Sequence, residues 1–430
     1  MLSRRLLIVA VIAVFSSAAQ APADWTATAP LPDTYTAHAM VHTGGYLYHF
    51  GGLAGFDGLF SGDKVFYAQV TGPGTIAAWV ETTTALPALS FFHAAAAWDD
   101  KLYVLGGQHW DGAGLVVASN VYYSQIGNNG VPGAWQTMTP LPEPLYLHSV
   151  VVWNGRIYVT GGWTDAGLSN RVYSAEVNPD GTLGSWVSLL NLPEAIYTHA
   201  AVVANGRVYV LGGVINNGND LHNAVYMSLI QGDGSLGPWV TTTPLPEPLS
   251  DHEAVIIGGR VYVLGGWIGA APTTAVRSAE ILPDKTLGAW QSEPSLPVPL
   301  YLHGGATDGD AIFSSGGSDS VDPHNEVYAL PVAPPASPAD LTGPRDGPDG
   351  WVDAFDLGAM LGAWCSGVND PNPPSPPCEN CTPANLAVAD ISGAANVPDG
   401  CVDAFDLAKL LAEWCSVAGG NPCGTCFSPP

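Results

Sequence analysis

A unit of about fifty residues recurs six times in the first 330 residues of the chain, and 135–162, WQTMTPLPEPLYLHSVVVWNGRIYVTGG, is one clear copy. A tryptophan opens each unit at Trp25, Trp79, Trp135, Trp186, Trp239 and Trp290, followed by Leu-Pro and then a histidine at His38, His93, His148, His199, His252 and His303. Two short apolar runs come next and end in Gly-Gly, from Gly51-Gly52 to Gly316-Gly317. A period of this length belongs to propellers and solenoids, in which one supersecondary unit buries its faces only against its neighbours.

Within a unit the pattern is that of strands. The runs 149–153 (SVVVW) and 156–160 (RIYVT) are β-branched or aromatic and flank Asn154-Gly155, a pair that favours the tight turn of a hairpin. A third run, 171–177, leads through NPDGTLGS to the tryptophan strand. Four antiparallel strands repeated six times without a helical period fit radial blades better than a sandwich. An apolar strand ending in Gly-Gly, a Val-Tyr strand and a spaced Trp resemble the kelch repeat. That resemblance, over roughly 24 to 333, implies an all-β six-bladed kelch-type β-propeller. Because the first copy begins at its Trp strand and the last stops before one, Trp25 to Thr28 are expected to pair with Asn325 to Ala329 and close the ring.

On that fold, the loops after Gly-Gly and before each histidine share a face, and loops on a fixed scaffold carry function. Aromatic and acidic residues gather there, and Trp110, Asp111, Trp163, Asp165, Asp220 and Trp267 are the candidate ligand-binding set. Exposed aromatics among carboxylates suit a glycan or an extracellular protein, although Trp163 and Trp267 can equally pack on the next blade. The six histidines, one per unit in one register, are read as structural groups where blades meet. Blade five breaks the repeat around its histidine: Asp251 and Glu253 stand where the other units carry mainly apolar or small residues, such as Leu147 and Ala200. This carboxylate pair is the candidate for ligand capture or acid-base chemistry, so a carbohydrate-active enzyme is the alternative to a binding module. Alternation along the strand puts the two carboxylates on one face at the channel mouth, where their proximity should raise one pKa.

The ends of the chain differ in kind. Residues 1–23 carry two arginines, an apolar run and small residues, the pattern of a secretory signal peptide, so the mature protein is expected outside the cytoplasm with no membrane span. The formal charge of −26 opposes binding to nucleic acid or anionic lipid. All seven cysteines lie between Cys365 and Cys426, beyond a Pro-rich spacer whose linker is placed at 334–338. From 339 to 430 a second repeat appears, with PDGWVDAFD returning as PDGCVDAFD and a Leu-rich helical stripe after each. Asp349, Trp351, Asp353 and Asp356, and in the second copy Asp399, Cys401, Asp403 and Asp406, offer the hard oxygen donors, with Trp351 and Cys401 through their carbonyls, that a calcium loop needs. The paired loop-helix units resemble the dockerin module, which implies a small α-helical C-terminal domain that binds calcium and a cohesin-like or cell-surface protein. Asp340 and Asp390 would be the first ligands, but in both copies an insertion of equal length separates them from the glycine-flanking acids. Each half also holds a Cys-x-x-Cys, which suits disulfides in a secreted chain more than zinc.

Overall fold

The computed structural model describes residues 24–55, 62–111, 113–216 and 220–332. The signal peptide expected at 1–23, the linker at 334–338 and the C-terminal module at 339–430 lie outside the described residues. So do its expected metal ligands Asp340, Asp349, Trp351, Asp353, Asp356, Asp390, Asp399, Cys401, Asp403 and Asp406, together with the cysteines.

Each repeat becomes one antiparallel sheet. In blade 3, Ser149–Trp153 pairs with Arg156–Thr160, which pairs with Val172–Glu176, which pairs with the short outer strand Val187–Ser188. Asn154 and Gly155 both take positive φ, 47° and 69°, as the two central residues of a type I′ turn require. The other blades start with Ala39–Thr43, Ala94–Trp98, Ala200–Ala204, Glu253–Ile257 and Gly304–Thr307. These six first strands are neighbours in cyclic order around a central channel. The second strands are buried on both faces, which explains why they read as continuous apolar runs. The apolar core accordingly lies in layers between successive sheets, as where Ile157 and Val159 of blade 3 meet Tyr103 and Tyr123 of blade 2.

The ring closes as the repeat phase predicts. Thr26 stands opposite Ala329 and Ala27 opposite Tyr328, so the N-terminal strand supplies the fourth strand of blade 6. The Thr28 and Leu31 amides extend the pairing to the Val327 and Asn325 carbonyls, each at 2.8 Å.

Side chains latch neighbouring blades further out. The indole Nε1 of Trp186 donates to the Thr139 carbonyl of the preceding unit at 3.1 Å, and Trp25, Trp79, Trp239 and Trp290 repeat the bond. These tryptophans sit just ahead of the outer strands rather than within them. The second-strand tyrosines reach the other way: Tyr103 donates to the Gly181 carbonyl in a turn of the next blade at 2.8 Å, and Tyr48, Tyr158 and Tyr209 do likewise.

Candidate functional site: the channel mouth

Six residues that precede the histidines, Ala37, Phe92, Leu147, Thr198, Asp251 and Leu302, all adopt left-handed backbone with φ between 50° and 54°. A side chain there costs about 1–2 kcal/mol in an isolated chain. What offsets it is a closed circuit of hydrogen bonds. The Phe92 amide donates to the Ala37 carbonyl at 2.9 Å, Leu147 to Phe92, Thr198 to Leu147, Asp251 to Thr198 and Leu302 to Asp251, and Ala37 donates back to Leu302 at 3.0 Å. This ring forms the rim of the channel on the loop face. It also corrects the expected alternation, because Asp251 lies before the strand that begins at Glu253 and in a left-handed turn.

The histidines and the Gly-Gly pairs explain each other. A Cβ on Gly106 would fall 2.8 Å from Cε1 of His148 in the next blade, and one on Gly107 would fall 2.8 Å from Cβ of His93 in its own blade. The same two contacts recur at all six seams, so each imidazole fills a slot that only glycine leaves open. Burial holds His148, His199 and His252 down to about 3 and His93 and His303 to about 4, so the imidazoles are neutral. Only two find a hydroxyl where the preceding blade offers one: His199 Nε2 with Thr160 Oγ1 at 2.9 Å, and His38 Nε2 with Ser315 Oγ at 3.0 Å. Both ring nitrogens of His148, His252 and His303 are buried without a hydrogen bond.

A cavity of about 180 Å³ occupies the mouth, lined by the rim residues, the histidines and the first residues of the inner strands. Asp251 and Glu253 both line it. Asp251 Oδ2 accepts a bond from Ser250 Oγ at 2.7 Å. Burial pushes Asp251 up to about 6 and Glu253 to about 8, each through loss of hydration and not through repulsion between the two carboxylates. Ser149, at the Glu253 position of blade 3, donates to the His199 carbonyl of the next blade. The Glu253 side chain instead lies against Gly305 of blade 6, where any Cβ would come within 2.7 Å of its own Cβ. The matching column reads Met40, Ala95, Val150, Ala201 and Ala254, so a second break in the repeat, visible in the sequence, marks the room made for Glu253.

The other candidates stand around the rim on separate loops. Trp163 packs edge-on against Tyr197 of the next blade, centroids 5.1 Å apart, and Trp267 packs on Tyr301 at 5.3 Å. Both tryptophans stay partly exposed, so the packing and the free face coexist. Asp165 is exposed in the turn after Trp163; burial first and the Asp165 charge second raise the Tyr146 pKa, as burial and then Asp251 raise that of Tyr197. Trp110 is 47% exposed at the end of the Gln108–Trp110 strand, and Asp111 Oδ1 accepts from the Ala113 and Gly114 amides in the turn beyond it. Asp220 accepts from Asn216 Nδ2 at 2.7 Å. Tyr146, Trp163, Tyr197 and Asp251 therefore form one arc, which Trp267 continues through its bridge to Ser250 beside Asp251, whereas Trp110, Asp111 and Asp220 belong to other parts of the face. Thr198 and Gly305 joined the site only in three dimensions.

Known proteins resemble the chain most clearly over this ring. Residues 148–334 match a family model described as the KLHDC2/KLHL20/DRC7 Kelch-repeats domain. Kelch repeat and BTB domain-containing protein 12 of Danio rerio is 31% identical over 204 residues, which cover 41% of this chain and 30% of that protein. Kelch-like protein terF of Aspergillus terreus is 27% identical over 282 residues, covering 60% of this chain and 58% of that protein. The chain thus spans less than two thirds of the length of these relatives. A solved structure titled "Structure of YjhT" superposes with a TM-score of 0.57 over 70% of this chain and 96% of that one, at 15% identity, a likeness of fold.

Proposed function

The chain carries a kelch-repeat domain folded as a six-bladed β-propeller, and from that premise we propose that it is a binding module whose channel mouth and surrounding loops engage a protein partner outside the cytoplasm. The carrying observation is asymmetry on a sixfold frame. The seams repeat one set of contacts, while at the mouth Asp251 and Glu253 stand in blade 5 alone among the described units, flanked by the half-buried Trp163–Tyr197 and Trp267–Tyr301 pairs. Interfaces gain most from a few aromatic anchors near buried polar groups, which is the combination this arc offers. The C-terminal repeat would anchor the protein through calcium loops to a cohesin-like or cell-surface receptor. Disulfides rather than zinc would hold its cysteines.

The test uses the secreted full-length protein as bait, with crosslinking to extracytoplasmic proteins. Capture lost in Trp163→Ala or Asp251→Asn but kept in Trp110→Ala supports the arc. Capture that survives both changes at the arc contradicts it. A second reading, a glycan-binding or carbohydrate-active protein, is favoured by the two carboxyls that burial raises to about 6 and about 8, values suited to proton transfer near neutrality. Turnover of an arrayed glycan that disappears in Glu253→Gln would select that reading.

A further inference from the structure

Unpaired imidazole nitrogens recur around the ring, but an unpaired carboxyl is found only at blade 5 among the described units of the mouth. The Glu253 carboxyl makes no hydrogen bond or ion pair with any described residue and opens onto the cavity. Thr198 Oγ1 is buried and also without a partner. It belongs to the rim residue whose carbonyl receives the Asp251 amide at 3.0 Å, so it neighbours Asp251 in the ring. Between the two carboxylates, the buried His252 imidazole fills its seam slot with both ring nitrogens unpaired, as His148 and His303 do at theirs. One Asp251 oxygen is spent on Ser250 and the other is left over. Polar groups in a confined cavity are nearly always bonded, so an unpaired, half-buried carboxyl beside a buried unpaired hydroxyl suits a guest that supplies donors.

The chemistry of these groups specifies that guest. Carboxylates accept only, a neutral imidazole has one nitrogen to accept with, and a hydroxyl can accept as well. No Lys or Arg lines the cavity, so the negative charge has no internal counter-ion. A primary ammonium carries three donors, no acceptor and the missing charge. About 180 Å³ is the share of roughly six water molecules, room for the end of an aliphatic chain and not for a folded peptide. Gly305 shows that space was cleared for the carboxylate rather than filled.

We propose that the Asp251–Glu253 sector of the channel mouth is a socket for one protonated primary amine, presented by a lysine side chain of the protein partner. The proposal rests on the reading of the loop face as a protein-binding surface and names what that surface recognises. Without a guest, burial keeps Glu253 protonated at neutral pH. An ammonium beside it favours the ionised form, so binding releases a proton. Glu253 shares the cavity with Asp251, ionised above about pH 6, and with His38, His93, His148, His199, His252 and His303, whose imidazoles burial holds neutral, with Tyr197 next to Asp251.

The test titrates the full-length protein, carbon-13 labelled at glutamate carboxyls, with Nα-acetyl-lysine methylamide, its Nε-acetyl derivative and the norleucine analogue. The socket predicts a saturable shift of the Glu253 carboxyl signal with the lysine probe, at least tenfold weaker binding of the other two, and proton release in calorimetry across buffers. Glu253→Gln and Gly305→Ala should each weaken the lysine probe at least tenfold, with circular dichroism reporting that the sheet persists. Equal binding of the acetylated probe, an unmoved Glu253 signal, or displacement by calcium with no response to lysine would overturn the socket. If the lysine probe binds while no protein is captured, the protein-partner reading fails and the socket stands. If protein capture persists in Glu253→Gln, the reverse holds.

Discussion

The channel mouth beside blade 3 and the mouth beside blade 5 share one backbone. Leu147 and Asp251 have the same left-handed φ and occupy the same hydrogen-bonded ring, and His148 and His252 fill the same glycine slots. At blade 3 the next polar residue, Ser149, spends its hydroxyl on a neighbouring carbonyl. Blade 5 instead exposes two carboxyls to the cavity of the mouth, one of them unpaired. Identical frame and opposite side-chain chemistry separate what holds the ring together from what it can bind.

The frame should break most severely where the ring is closed. Deleting 24–32 removes the fourth strand of blade 6 and the buried Trp25 indole, and exposes an edge. A loss of about 4 kcal/mol, typical for a buried Trp, lowers the melting temperature by roughly 10 °C or brings aggregation first. Unchanged melting in calorimetry would mean that the N-terminal strand does not close the ring.

A smaller effect separates slot from turn. Gly106 and Gly206 both have positive φ, 60° and 71°, yet a Cβ on Gly106 would fall 2.4 Å from the Leu145 carbonyl while one on Gly206 meets nothing within 4 Å. Gly106→Ala should destabilise by about 3 kcal/mol or more, because a backbone oxygen must move. Gly206→Ala carries only the backbone strain, about 1 kcal/mol. Denaturant midpoints that fall equally in the two variants would contradict the slot.

Acidity should distinguish the two kinds of buried group. The histidines have folded pKa values below the ordinary 6.5, so their contribution is full above about 6.5 and is lost as pH falls toward 3–4. Glu253 runs the other way: its folded pKa of about 8 lies above the ordinary 4.5, so its contribution is full below 4.5 and is lost as pH rises through 8. Where the windows overlap, the six ring histidines outweigh one glutamate, which puts maximal stability near neutrality. Glu253→Gln should remove the fall in stability between about pH 4.5 and 8, steepening the acid limb where the two windows overlap, and leave the slope below pH 4.5 unchanged. A changed slope below pH 4.5 in this variant would show that the mouth and the seams are coupled.

The mildest change belongs to the loops. Trp163→Ala loses its edge contact with Tyr197 and part of its burial, about 1 kcal/mol, while partner capture should fall much further. Stability and capture falling in proportion would mean that the residue is only packing.

Much of the frame was legible before any coordinates. The strand order, the Asn154-Gly155 turn and the closure by Trp25 to Thr28 follow from local pattern and from the phase of the repeat. Blade 5 announced itself by departing from its own repeat. The slots were not legible in that way, because the partner of Gly106 is His148, forty-two positions away, and only stacking of blades brings them together. The left-handed rim was hidden for a similar reason: Leu147 and Phe92 do not favour positive φ, and the bonds that hold them there join different blades. Extended alternation therefore failed at Asp251, and the raised carboxyl pKa values came from enclosure, which no spacing reveals.

The central claim is that Glu253 stands unpaired at a channel mouth where its counterpart in blade 3, Ser149, is satisfied. Its carboxyl carbon followed by NMR from pH 4 to 10 in the full-length protein measures this directly. A midpoint near 8 that falls when the lysine probe is added is the predicted result. A midpoint near 4.5, the value of a hydrated glutamate, would contradict the account.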